Sequence, residues 1–151
     1  MGVILFPQWR IFGFVSADGQ SFVRVWLDRN SSQSTRGSLL TFLQCIQSGG
    51  PRVLPGCIKN EGDGLGTIEV KRSGHPPIRV FFCYGPFHPY DALVGDESTG
   101  EITLLGASMI NRDALKDAKK IAKENLKTLL EDPSRRQHER FGERSRGAVP
   151  R

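Results

Sequence analysis

Seven side chains able to carry charge or move protons fall close together in this chain: Lys71, Arg72, His75, Arg79, Tyr84, His88 and Tyr90. This mix of bases and phenols suits metal-free cleavage of RNA. In that reaction the substrate's own 2′-hydroxyl is the nucleophile. The protein must hold it in line, neutralise charge on the scissile phosphate and help move protons. Arginine fits the phosphate because its planar fork donates two hydrogen bonds and stays charged. Lysine, tyrosine or histidine can move protons where the site tunes their pKa values. The same residue types also occur on basic strands that only bind nucleic acid or an acidic peptide, so the residues alone leave both readings open.

Other chemistries lack their residues. Gly62-Asp63-Gly64-Leu65-Gly66 has neither the preceding strand nor the following helix expected of a nucleotide-binding loop. His75, His88 and His138 are scattered and no His-Glu-x-x-His occurs, so no metal site is expected. There is no Gly-x-Ser-x-Gly elbow. No cofactor is expected either. Cys45, Cys57 and Cys83 are odd in number and lack metal-type spacing, which reads as reduced thiols in a cytoplasmic setting. No apolar run approaches the length of a membrane span, and Met1–Phe6 is too short for a signal peptide. The sequence therefore predicts no membrane partner.

The formal charge of +5 over 151 residues is uneven. Six arginines and two glutamates lie between Ser134 and Arg151, leaving about +1 for the rest. Such a tail suits an acidic partner, or is simply a solvated end. The division expected is one folded domain over 1–133 and a basic, flexible tail over 134–151.

The elements that must position these residues can be read in order. Trp9–Val15 predicts a first strand, and Asp18-Gly19 ends it. Ser21–Asn30 fits either a helix or a strand. Arg36–Gln47 carries an apolar helical stripe of Leu39, Leu40, Phe42, Leu43 and Ile46, stopped by Gly49-Gly50-Pro51. Val53–Gly66 reads as a glycine-rich loop. Thr67–Lys71, Ile78–Tyr84 and Ile102–Leu105 follow as three β-prone runs. A longer loop from Gly85 to Gly100 could include a short strand at Ala92–Val94. An antiparallel sheet with cationic side chains on one face is the simplest arrangement.

Asn111–Glu131 is the clearest helix, with Asn111 as N-cap, Asp113 in the first turn and Pro133 beyond its end. At about 100° per residue, Lys116, Lys119, Lys120, Lys123 and Lys127 share one flank. That flank either faces nucleic acid or is neutralised by the i,i+3 pairs Asp113–Lys116, Asp117–Lys120 and Glu124–Lys127.

The runs Thr67-Ile68-Glu69-Val70-Lys71, Ile78-Arg79-Val80-Phe81-Phe82 and Ile102-Thr103-Leu104-Leu105-Gly106-Ala107, then an alanine-containing helix, resemble the RelE/ParE toxin superfamily. The likeness is greatest to its phage-derived, HigB-like branch. It spans roughly residues 10–131, but only 67–107 is motif-like. The resemblance implies an α+β, RelE-like fold: a small twisted antiparallel sheet, two N-terminal helices and a long C-terminal helix, and it favours helix for Ser21–Asn30. It implies the toxin of a type II toxin–antitoxin system, with a cognate antitoxin as protein partner. For the RelE-like and HigB-like members it implies translation inhibition by metal-independent, ribosome-dependent mRNA cleavage. Arg79 matches the second strand's arginine and Lys71 takes the place of the first strand's. Arg112 falls near the basic turn before the last helix, where Met109-Ile110-Asn111-Arg112 replaces the usual paired lysines.

The expected catalytic set is thus Arg79, Lys71, Arg112 and Tyr84. Arg72, His75, Lys116, Lys119, Lys120 and Lys123 would bind nucleic acid. Each has a plainer role available. Arg79 could pair with Glu69 across the strands, Lys71 could be a solvated strand residue, Tyr84 a core aromatic and His75 an inert loop residue. The rival functions are a ParE-like, non-nucleolytic inhibitor of DNA gyrase, or a nucleic-acid-binding or regulatory module.

Overall fold

The computed structural model describes residues 9–50, 56–85 and 100–139. Six strands and three helices follow in the order β1 (Arg10–Phe14), α1 (Phe22–Asn30), α2 (Gln33–Gly49), β2 (Ile58–Gly62), β3 (Leu65–Arg72), β4 (His75–Tyr84), β5 (Glu101–Met109), α3 (Arg112–Glu131) and β6 (Arg136–His138). They form one sheet in the order β2-β3-β4-β5-β1-β6. Every neighbouring pair is antiparallel except β1 and β5, which run parallel with Arg10 opposite Glu101 and Gly13 opposite Leu104.

Local chemistry sets the helix ends. The Ser32 hydroxyl accepts from the Thr35 amide at 3.0 Å, and Asn111 Oδ1 accepts from the Ala114 amide at 2.9 Å. Gly50, at φ 83°, closes α2 in a conformation that costs a side-chain-bearing residue more. Leu39, Leu43 and Ile46 then lie on one face of α2 and are buried. Ala118, Ala122, Leu126 and Leu129 do the same on α3.

The helices cover both faces of the sheet. On one side, Val23, Leu27, Leu39, Leu43 and Ile46 of α1 and α2 meet Ile11, Ile68, Val70, Ile78, Val80, Phe82, Ile102 and Leu104. On the other, α3 meets Phe14, Leu65, Phe81, Cys83 and Leu105. Thirteen Val, Leu, Ile and Phe side chains in these two layers are less than 2% exposed, and burying each contributes about 1.5–3 kcal/mol. Gly106 lets α3 close on β5: a Cβ there would stand 3.6 Å from that of Ala122.

The α+β class holds, but the expected RelE-like arrangement does not. Among the described residues a strand comes first, two helices follow it, and the sheet is mixed rather than antiparallel. The reason is burial on two sides. Ile11 faces the α1–α2 layer and Phe14 the α3 layer, so β1 takes an interior place beside β5 rather than an edge.

Two further strands fall where none was expected. Ile58–Gly62 lay within the predicted loop, yet it pairs with β3 through a tight turn at Asp63 (φ 57°) and Gly64 (φ 81°). Arg136–His138 lay in the predicted tail, yet it pairs with β1, so folded structure extends beyond 133 to Glu139. Residues 140–151 and the candidate strand Ala92–Val94 lie outside the described residues. The helix reading of Ser21–Asn30 and the span and N-cap of α3 agree with the structure.

Candidate nucleic-acid interface

Strand alternation decides which side chains can meet. On β3 and β4, Ile68, Val70, Ile78 and Val80 point to α1 and α2. Thr67, Glu69, Lys71 and Arg79 must therefore lie on the opposite face, the one α3 covers only in part. Register places Glu69 opposite Arg79, and Arg79 opposite Ser108. On β2, Lys59 stands opposite Thr67 and shares that face.

Three cations converge there on a single carboxylate. Glu69 has Lys71 Nζ at 3.4 Å, Arg79 Nη2 at 3.6 Å and Lys59 Nζ at 4.0 Å. Lys71 and Lys59 are 73% and 58% exposed, whereas Arg79 and Glu69 are 19% and 14%. None of these contacts is as short as a good charge-assisted hydrogen bond. The arrangement is a cluster of net charge +2 with loose internal pairing. Among the described residues, Arg79 Nε is buried without a hydrogen-bond partner, a defect worth about 1–3 kcal/mol.

The helix adds a second set of cations on the same side. Lys119 Nζ donates to the Glu61 carbonyl at 3.0 Å, and Lys123 Nζ lies 3.5 Å from Asp63. These two contacts tie α3 to the β2–β3 turn. A shallow depression of about 540 Å³ runs along this part of α3, lined by Lys116, Lys119, Lys120, Lys123 and Lys127 with Asp63 and Glu124. The Glu61 carboxylate also takes the Thr67 hydroxyl, across from Lys59 on β3, at 3.4 Å.

The three i,i+3 acid–lysine pairs do not form: among the described residues, Lys116, Lys120 and Lys127 have no acidic partner within 4 Å. Asp117 instead lines a depression on the α1 side with Phe22 and Trp26. The lysine heads remain available to an anion.

The remaining expected residues divide between faces. Tyr84 lies on the α1–α2 side, edge-on to Trp9 at 5.9 Å and to Phe82 at 5.4 Å. It is the core aromatic of the plainer reading and cannot join Arg79 or Lys71. Arg72 also turns away, with Nη1 3.4 Å from Ser38 Oγ on α2. His75 sits half-buried opposite Arg72 in the β3–β4 hairpin. Arg112 is exposed at the start of α3. His88 and Tyr90 lie outside the described residues. Arg79 takes the cross-strand partner offered as its alternative, Glu69. Lys59 was not singled out from the sequence; the Asp-Gly pair at 63–64 was the available signal, because it predicts a hairpin that brings 59 beside 67.

Among the described residues, no group of three His, Cys, Asp or Glu side chains could hold a metal ion. Also among the described residues, no helix is long and apolar enough to cross a membrane. This face sets cations of the kind a phosphate chain meets, Lys59, Lys71 and Arg79, on the strands and a row of lysines on α3. Comparison with protein-family models, with curated proteins and with solved structures finds no match to this chain.

Proposed function

We propose that this chain is the toxin of a toxin–antitoxin pair and that it cleaves translated mRNA on the face formed by β2, β3, β4 and α3. The observation that carries the reading is the convergence of Lys59, Lys71 and Arg79 beside the lysine row of α3. The motif resemblance at 67–107 supports the toxin role, with an antitoxin, mRNA and the ribosome as partners.

The chemistry asked of this face is modest. The RNA 2′-oxygen attacks the adjacent phosphorus and the bond to the 5′-oxygen breaks. The 2′-hydroxyl loses its proton and the leaving oxygen gains one, giving a 2′,3′-cyclic phosphate and a 5′-hydroxyl. Arg79 and Lys71 neutralise the phosphate as charge builds on its oxygens. Lys116, Lys119, Lys120, Lys123 and Lys127 hold the flanking phosphates and set the register of the strand.

A second reading is favoured by two observations. Tyr84 is on the wrong face to move a proton, and Arg79 is already paired with Glu69. Both suit a non-nucleolytic protein that uses the same face to inhibit a topoisomerase. Expression in a bacterial host separates the two. The first reading predicts translation arrest with cut transcripts. Filamentation and a DNA-damage response with intact transcripts would overturn it in favour of the second, and harmless expression would overturn both.

A further inference from the structure

We infer that Glu69 is a selectivity element: it fills the phosphate position among Lys59, Lys71 and Arg79, so that isolated phosphate is rejected and only a multiply anchored strand displaces it. This rests on the interface proposed above and goes beyond it by assigning the acid within it. Among the described residues, Glu69 is the one anion within 4 Å of all three cations. It stands where a phosphate would have to stand to reach them together. Its contacts, 3.4–4.0 Å, are long enough to be exchanged for better ones.

The consequence depends on valency. A lone phosphate must displace a tethered carboxylate whose effective concentration is high, and it gains only three loose cations in return. A nucleic-acid strand is already held by the lysine row of α3, two contacts of which fix that row to the β2–β3 turn. Its next phosphate then competes with Glu69 intramolecularly. The acid thus costs the strand little and the free anion much, which is discrimination through a repulsive element.

The experiment compares wild type with Glu69→Gln, using inorganic phosphate and a short single-stranded RNA as separate probes at fixed ionic strength. Glu69→Asp, which keeps the charge but withdraws it by one methylene, guards against a folding defect in the first variant. Phosphate affinity should rise roughly tenfold or more in Glu69→Gln and by less in Glu69→Asp, because one like charge about 4 Å away is removed or moved back. RNA should bind both, more tightly in Glu69→Gln and with a salt slope steeper by about 0.7. If RNA binds while phosphate affinity is the same in all three proteins, the role of Glu69 is refuted and the interface stands. If phosphate binding rises but RNA binds none of them, Glu69 only screens the three cations, and both its selectivity role and the interface are refuted. If neither probe binds any of them, both are refuted.

Discussion

Replacing Lys71 by alanine separates binding from folding on this face. The side chain is 73% exposed and its contact with Glu69, at 3.4 Å, is a surface pair. Such pairs contribute about 0–1 kcal/mol, so the melting transition should move little. If Lys71 neutralises a phosphate, binding loses a charge-assisted contact of about 1.5–3 kcal/mol, or roughly tenfold to a hundredfold in affinity. The dependence of log affinity on log salt should also flatten by about 0.7 for a single strand. Fluorescence anisotropy of a labelled RNA between about 50 and about 200 mM salt reads both quantities. Arg72→Ala is the control, because Arg72 is a neighbouring cation that faces α2 instead. Equal losses in the two variants would show that only net charge matters. Unchanged affinity and slope in Lys71→Ala would remove this face from RNA binding.

Two further predictions concern what holds the sheet in place. Arg136 lies 2.8 Å from Glu101, is 17% exposed and stacks 3.8 Å over the Phe12 ring. Arg136→Ala should cost about 3 kcal/mol, the lower end for breaking a buried pair because Arg10 still contacts Glu101. Urea unfolding checks this, and an unchanged midpoint would contradict it. Burial pushes the Cys83 thiol from 9.0 up to about 12, against a smaller opposing pull from Arg136. The unfolded thiol then ionises first, so this contribution is full below about pH 9 and is lost as pH rises toward about 12. The slope is about 1.4 kcal/mol per pH unit, and Cys83→Ala should show a shallower alkaline decline than wild type. Parallel curves would refute it.

Much of the fold was legible because its signals are local. The α3 helix announced itself by Asn111, its apolar face and Pro133, and its observed span starts directly after that cap. The runs at 67–71, 78–84 and 102–105 all fall within observed strands. What escaped was set by distant partners. The parallel pairing of β1 with β5 joins residues 10–13 to 101–104 and leaves no mark in either run. β6 is only three residues and depends on pairing with β1 and on the contact of Arg136 with Glu101. The site was half legible. Arg79 and Lys71 do share a face and an acid. Tyr84 could have been excluded by counting: five residues from Arg79 on one strand, it must point the other way. Lys59 needed the Asp63-Gly64 turn to be read as a hairpin.

The central claim, cleavage of mRNA on the β2–β3–β4–α3 face, is tested most directly with purified chain and ribosomes programmed with a defined message. The cut ends are mapped and their chemistry determined. New ends bearing 5′-hydroxyl and 2′,3′-cyclic phosphate, lost when Lys71 and Arg79 are both replaced by alanine, are the predicted result. An intact message, or ends that persist unchanged in the double variant, would contradict it.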